Sequence, residues 1–204
     1  MGRESKSGVY RLQQPGPEHI GAVRALATAC NASDNLDLSL DWRQLRARPS
    51  GETSDFLFRL DGRWVGYLGL FQFSDQEVEI IGMVLPEYRR RGIFSELWRA
   101  AQSECAARGV KRALFICERR SESGRAFLRA IGARWDHAEY KMQLAQPWPA
   151  PQNPQRVRLR LATAGDRAEI ARQNVIYFGN PGEQEDSIPE SLRDDRHAVY
   201  IAEL

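Results

Sequence analysis

The sequence predicts an α/β (α+β) fold in which a mixed, mostly antiparallel central sheet is flanked by helices. Two observations predict it. Three apolar segments between residues 56 and 85 are joined by short turns, which is typical of antiparallel strands. Apolar residues also repeat at helical spacing on either side of that block, within residues 20–30 and 93–105.

The elements before the three strands are a short strand and two helices. Residues 9–13 are an apolar strand, and Gly16-Pro17 then opens a helix, since proline is favoured in a first helical turn. The apolar residues between 20 and 30 lie on one face of this helix. A second helix is predicted from Leu40 to Arg46 and ends before Pro49-Ser50-Gly51.

The three strands are separated by turn signals. The first strand, 56–60, ends at Asp61-Gly62, which is a strong hairpin signal. Its partner covers residues 64–73 and is followed by a turn at Ser74-Asp75. The third strand covers residues 78–85, and Pro86 closes it because proline cannot continue a ladder.

The elements after Pro86 alternate between helix and strand. A helix is predicted over 91–107, with Gly109 as its C-cap. Residues 114–117 are apolar on both faces, which favours a central, buried strand. A helix follows over 123–130 and ends at Gly132, and the last strand is predicted within 133–144.

A proline-rich segment predicts a domain boundary. Residues 146–155 read QPWPAPQNPQ and are typical of a linker. After it, LRLATAGDRAEI at 159–170 resembles YRLQQPGPEHI near the start, and VYIAEL at 199–204 resembles FLFRL at 56–60. We therefore expect one domain over 1–145 and the N-terminal half of a second, similar domain over 156–204.

Composition excludes several classes of function. The net charge is +2, from 29 basic and 27 acidic residues, so the chain as a whole gives no reason to expect a nucleic-acid or membrane partner. No apolar run is long enough to cross a bilayer, and the N-terminus lacks a signal-peptide pattern. Three widely spaced cysteines fit buried thiols in a reducing compartment, so we expect a cytoplasmic protein without a bound metal.

The stretch PEYRRRGIFSELW, residues 86–98, carries the clearest chemical signal. A strand, a proline, a basic turn, Gly92 and a helix follow in that order. Backbone N–H groups at a helix start are unpaired and positively polarised, and a glycine lets an anion approach the main chain. The pattern predicts a phosphate site, although a solvated basic turn is the simpler alternative for the three arginines.

The segment VLPEYRRRGIFSEL resembles the acyl-CoA signature of the GNAT superfamily of N-acetyltransferases, V-x-P-x-x-[QR]-x-x-G-x-[GA]. Arg89 takes the [QR] position and Gly92 the first glycine. The order of predicted elements over 9–145 fits that fold. The tandem pattern is similar to the branch of the superfamily with two domains, here with an incomplete second copy.

The resemblance implies acetyl-CoA as co-substrate and an amine-bearing acceptor that attacks the thioester directly. It implies that the pantetheine arm pairs with the main chains of Met83, Val84 and Leu85. Glu79 matches the glutamate that removes the amine proton in this superfamily, with Glu77 as the next candidate. The remaining cofactor-binding residues implied by the resemblance are Arg89, Arg90, Arg91, Gly92, Ile93, Phe94, Ser95 and Ser121.

Two departures from the superfamily pattern favour an alternative, a non-catalytic acyl-CoA-binding or scaffolding domain. Phe94 stands where the superfamily has Gly or Ala, and its ring either narrows the phosphate site or packs into the core. Leu128 stands where a tyrosine usually protonates the leaving thiolate, so water or a residue such as Tyr140 would replace it. The sequence leaves both the acceptor and the formation of a homodimer open.

Overall fold

The computed structural model describes residues 7–74, 76–140, 157–178, 192 and 198–203. The chain divides into two compact units, one up to His137 and one from Ala138 onwards. The predicted linker at 146–155 lies outside the described residues, as do residues 141–144 of the last predicted strand.

The first unit contains five strands and four helices among its described residues. The strands are β1 (Gly8–Leu12), β2 (Asp55–Leu60), β3 (Arg63–Ser74), β4 (Glu77–Val84) and β5 (Arg112–Phe115). The helices are α1 (Pro17–Asp34), α2 (Trp42–Arg46), α3 (Ile93–Ala107) and α4 (Glu122–Ala130). A short 3-10 turn, Pro86–Tyr88, connects β4 to the basic turn before α3.

The sheet has the order β1-β2-β3-β4-β5, antiparallel throughout except for the parallel pair β4–β5. Every residue from Val65 to Phe71 is buried, so both faces of β3 are covered. Ile93 and Leu97 of α3 lie against Gly66 on one face. Buried residues of α1, including Val23 and Leu26, complete the core. The predicted fold class is confirmed.

Two of the turn signals read from the sequence, Asp61-Gly62 and Gly109, are confirmed, whereas Asp75 of the third lies outside the described residues. Asp61 and Gly62 have φ values of 47° and 80°. Positive φ at both central residues is what a type I′ turn of a two-residue hairpin requires. Gly109 has a φ of 71°, and Val110 N–H donates to the Cys105 carbonyl at 3.0 Å, which closes α3.

One prediction after α3 is wrong, and a second is contradicted over the residues that the structure describes. β5 covers Arg112–Phe115 rather than 114–117, and among the described residues it is the edge strand of the sheet, half-buried rather than central. Residues 133–140 form no strand, and Trp135 is 81% exposed. Phe115 of β5 makes edge-to-face contacts with Trp98 of α3 and Phe127 of α4, so these helices cover part of the strand.

The described part of the second unit has a strand, a helix and an antiparallel partner strand, as the start of the first unit does, but no counterpart of α2 among its described residues. β6 (Arg158–Leu161) is followed by a 3-10 turn (Ala164–Asp166), α5 (Arg167–Phe178) and β7 (Tyr200–Glu203). β6 and β7 pair antiparallel, as β1 and β2 do. Across both units, none of the described helices has the length and apolar character needed to cross a membrane.

Candidate active site

β4 and β5 separate at one end of the sheet and leave a cavity between them. Their parallel pairing ends at Ile80 and Phe115, with one further bond from Ile116 N–H to the Ile80 carbonyl at 3.0 Å. β4 continues to Val84 along β3 alone. The cavity beside this uncovered stretch has a volume of about 400 Å³ and is lined by α1, β4, α3, β5 and α4.

The main-chain groups of β4 alternate between β3 and the cavity. Ile80 accepts its bond from the β5 side, so Gly82 and Val84 also point that way, while odd-numbered residues point to β3. The Leu85 N–H donates to the Val65 carbonyl at 2.9 Å, and the Leu85 carbonyl accepts from Tyr88 N–H at 2.9 Å. Met83 lines the cavity, but its main chain faces β3.

The predicted pantetheine partners differ in where their main-chain groups point, and their role stays a prediction. Val84 presents its N–H to the cavity, while its carbonyl accepts from Arg89 Nε and the Cys30 thiol. Met83 faces β3, and Leu85 has both its groups engaged. Gly82 is a residue that the sequence analysis missed. The period of two along a strand, counted from a paired Ile80, is the signal that identifies it.

The start of α3 exposes unpaired backbone donors to the same cavity. Gly92 occupies the N-cap position with a φ of 80°, and among the described residues no side chain caps the helix. The first helical bond runs from Glu96 N–H to the Gly92 carbonyl at 3.0 Å. The N–H groups of Ile93, Phe94 and Ser95 are therefore unpaired within the helix, and all three residues line the cavity.

The backbone at Gly92 is open to a ligand. A Cβ atom added to this glycine would meet nothing within 4 Å. Arg90, two residues earlier, also has a positive φ of 62°. Two residues of the turn are therefore in the left-handed region before the helix begins. Unpaired donors, a helix N-terminus and free space together form a site suited to an anion.

The three arginines of the turn have three different environments. Arg89 donates from Nε to the Val84 carbonyl at 2.9 Å and from Nη1 to Asp34 Oδ1 at 2.9 Å. The Arg91 guanidinium lies 5.3 Å from the centre of the Tyr88 ring. Arg90 is exposed and lines the cavity. Arg90 is thus the member of the run best placed to add positive charge for a bound anion.

Comparison with known proteins decides the family. The acetyltransferase (GNAT) family model matches residues 20–133, which is more than half of the chain. The chain belongs to the GNAT acetyltransferase family. The family resemblance read from the signature segment is confirmed. None of the curated proteins matches the chain significantly.

Solved structures with the same fold are distant in sequence. A GCN5-related N-acetyltransferase from Sphaerobacter thermophilus is 18% identical with a TM-score of 0.66, over 87% of this chain and 61% of that one. The present chain thus spans less than two thirds of that protein. Two aminoglycoside acetyltransferases from uncultured soil metagenomic samples also share the fold. One is 19% identical with a TM-score of 0.52, over 69% of this chain and all of that one. The other, in complex with trehalose, is 16% identical with a TM-score of 0.50, over 67% and 95% of the two chains.

The GNAT position that usually holds Gly or Ala is filled here by a ring packed on β4. A Cβ added to Gly82 would lie 2.6 Å from a ring carbon of Phe94, so the ring lies directly on that glycine. Phe94 also makes an edge-to-face contact with Phe127, with centroids 4.7 Å apart. The absence of a side chain at residue 82 therefore makes room for the large side chain at residue 94, which forms one wall of the cavity.

The two carboxylates predicted to be catalytic lie in the paired part of β4. Glu77 forms an ion pair with Arg112 at 2.9 Å. Glu79 is half-buried opposite Leu114, and neither glutamate is among the cavity-lining residues. Glu79 shares a face with Met83, which does line the cavity, but the four residue steps from one to the other span about 13 Å of strand.

Several polar residues that the sequence analysis did not select line the cavity. Glu118 accepts a hydrogen bond from Asp37 N–H at 2.7 Å. Cys117 is half-buried, and burial raises the pKa of its thiol above the ordinary value. Both follow directly after β5, and ligands often bind beyond the carboxyl ends of parallel strands, which is the signal that could have identified them.

The α4 segment holds the remaining predicted positions. Ser121 is the N-cap of α4, where its Oγ accepts from Gly124 N–H at 3.2 Å, and it lines the cavity. Leu128 also lines the cavity, so this position faces the site without a hydroxyl. Among the described residues, no three potential metal ligands come together.

Proposed function

We propose that residues 1–145 are an acetyl-CoA-dependent N-acetyltransferase domain that moves an acetyl group to the amine of a small molecule or a peptide. The observation that carries this proposal is the combination of two features in one cavity. The edge of β4 is uncovered at Gly82 and Val84, and the uncapped start of α3 follows within ten residues. An extended arm ending in a pyrophosphate fits these two features together.

Main-chain groups of β4 and α3 bind the two parts of coenzyme A. The pantetheine arm pairs with the main chain of Gly82 and with the N–H of Val84, whose carbonyl is held by Arg89 and Cys30. The pyrophosphate accepts from the N–H groups of Ile93, Phe94 and Ser95. The exposed Arg90 contributes positive charge at that end. The acceptor amine attacks the thioester carbon, its nitrogen forms the new amide bond, and coenzyme A leaves as the thiolate.

Proton transfer is the less direct part of this mechanism. Glu79 removes the proton of the attacking amine through water, because its position in the paired part of β4 keeps it away from the thioester. Glu77 is the weaker candidate since Arg112 holds its carboxylate. Solvent protonates the thiolate, because residue 128 is a leucine.

The experiment measures thiol release from acetyl-CoA against a panel of amines. Aminoglycosides come first because two solved structures with this fold are aminoglycoside acetyltransferases. Polyamines and peptides with free N-termini follow. We expect Glu79→Gln to lower kcat by about 100-fold, which is the range of general base catalysis. Glu77→Gln should lower kcat much less. Both variants should bind coenzyme A as tightly as the parent does.

A second candidate function is a non-catalytic acyl-CoA-binding or scaffolding domain, which the apolar Leu128 in the cavity wall favours. This candidate predicts that the protein binds coenzyme A but releases no thiol with any amine in the panel. Turnover with any of the amines, lost in Glu79→Gln, excludes it.

We also propose that residues 156–204 are the N-terminal half of a second GNAT-like domain. The support is the repeated order of strand, helix and antiparallel partner strand in β6, α5 and β7. A domain boundary at 146–155 predicts that limited proteolysis cuts first in that segment. Initial cleavage within residues 17–130 would contradict this boundary.

A further inference from the structure

An ion pair connects the end of α1 to the turn that begins the anion site. Asp34 is the last residue of α1, and both of its carboxylate oxygens lie 2.9 Å from Arg89 Nη1. The two side chains are only 20% and 22% exposed. Burial alone would lower the pKa of the Arg89 guanidinium, but the hydrogen bond and charge of Asp34 raise it above its ordinary value.

The same guanidinium engages the end of β4. Arg89 Nε donates to the Val84 carbonyl at 2.9 Å, and the Cys30 thiol, also on α1, donates to that carbonyl at 3.4 Å. Through Nε and Nη1, the forked guanidinium of Arg89 joins three parts of the cavity wall. These are α1, the end of β4 and the turn before Gly92. A lysine has a single ammonium group on a flexible chain and cannot form both bonds in this fixed geometry.

We propose that Asp34 and Arg89 act together as positioning residues, which hold the turn so that the N–H groups of Ile93 to Ser95 converge on the pyrophosphate. The inference rests on the proposed coenzyme A site. It assigns no phosphate contact to Arg89, although the superfamily resemblance implies that this residue binds the cofactor. Asp34 neutralises the Arg89 charge, and both of its bonded nitrogens point to protein oxygens.

A direct phosphate contact by Arg89 makes the opposite prediction for Asp34. If Arg89 acted through its charge, Asp34 would only weaken the attraction, and removing its negative charge would strengthen binding of the anionic cofactor. If the pair positions the turn, removing that charge releases Arg89 and weakens binding. The sign of the change in affinity therefore separates the two roles.

The experiment is calorimetric titration of coenzyme A into the full chain. Asp34→Asn is compared with Glu87→Gln, which removes the same charge from an exposed residue of the turn before Arg89. We expect Asp34→Asn to bind about tenfold more weakly than the parent, since a hydrogen bond between charged groups is worth more than about 1.4 kcal/mol. Glu87→Gln should bind as tightly as the parent or more tightly.

A third variant, Arg89→Lys, keeps the charge and removes the fork. We expect it to lose affinity as Asp34→Asn does, whereas a charge-only role predicts that lysine is an adequate replacement. Asp34→Asn binding as tightly as Glu87→Gln, or Arg89→Lys binding as tightly as the parent, overturns the inference. A parent that binds no coenzyme A overturns the proposed function itself, and the inference with it.

Discussion

Gly82 and Phe94 share the space at the point where β4 leaves β5, and a methyl group added to the glycine tests that arrangement. The added Cβ of Gly82→Ala would lie 2.6 Å from a Phe94 ring carbon and 2.8 Å from the Tyr67 carbonyl oxygen. Favourable contacts between carbon atoms lie near 3.5–4 Å, so the ring has to move by about 1 Å.

The ring of Phe94 has little freedom to make this movement, because the Phe127 ring packs against it in an edge-to-face contact. Overpacking of this kind typically costs about 1–3 kcal/mol. We therefore expect Gly82→Ala to lower the free energy of unfolding of the first unit by about 2 kcal/mol. It should also weaken coenzyme A binding, because the displaced ring moves into the cavity or pushes β4 aside.

The assay is urea denaturation of Gly82→Ala, Phe94→Ala and the double variant. Removing the ring should relieve part of the strain, so the glycine substitution should cost less in the Phe94→Ala background, with a coupling of at least about 0.5 kcal/mol. The control is Gly21→Ala on the exposed face of α1, where the new Cβ meets nothing within 4 Å. That control should be neutral or stabilising by up to about 1 kcal/mol. Additive effects at residues 82 and 94 would refute the reasoning.

Three further predictions concern other parts of the first unit. Asp55→Ala should destabilise the protein by about 3–5 kcal/mol in urea denaturation, because Arg48, whose Nε lies 2.8 Å from Asp55, would be left as a buried unpaired charge; a loss below 1 kcal/mol would contradict this. Leu128→Tyr should raise kcat for thiol release with little change in coenzyme A affinity, since the phenol would supply the missing proton donor; an unchanged kcat means that thiolate protonation is not limiting. Burial raises the pKa of Cys117, so its alkylation by iodoacetamide at pH 8 should be slower than that of a free cysteine and should rise with pH. Peptide mapping measures the alkylation rate, and a rate at pH 8 equal to that of free cysteine would contradict it.

Local signals in the sequence predict much of the fold. The Asp61-Gly62 turn, the helical period of α3 and the glycine after it each act within a few residues, so a pattern along the chain identifies them. The position of β5 is different. Its apolar character predicts a central strand, but among the described residues it is an edge strand, where Trp98 and Phe127 pack on Phe115 and Ile116 is 43% exposed. A strand covered by helices and a strand covered by neighbouring strands have the same apolar residues, so the sequence does not tell the two cases apart.

The candidate site shows the same limit. The order of Pro86, a basic turn and Gly92 predicts the anion site, because each of these features acts through local backbone geometry. The sequence does not distinguish the roles of Arg89, Arg90 and Arg91, since these depend on Asp34, the cavity and Tyr88, respectively. Gly82 was missed for a related reason, because the part of β4 that faces the cavity depends on where its pairing with β5 ends.

The central claim is that the start of α3 holds the pyrophosphate of coenzyme A, and titration calorimetry with two glycine variants tests it most directly. Gly92→Glu places a carboxylate at the open backbone of the cavity. Gly109→Glu makes the same substitution after α3, where φ is 71° and the added Cβ also meets nothing within 4 Å, but outside the cavity lining. The two variants thus share the backbone strain and the added charge.

We expect micromolar binding of coenzyme A to the parent and to Gly109→Glu. Binding to Gly92→Glu should be at least about 100-fold weaker, because a like charge about 4 Å away costs roughly 4 kcal/mol near a protein surface. Equal binding by the two glycine variants, or no binding to the parent, would contradict the account.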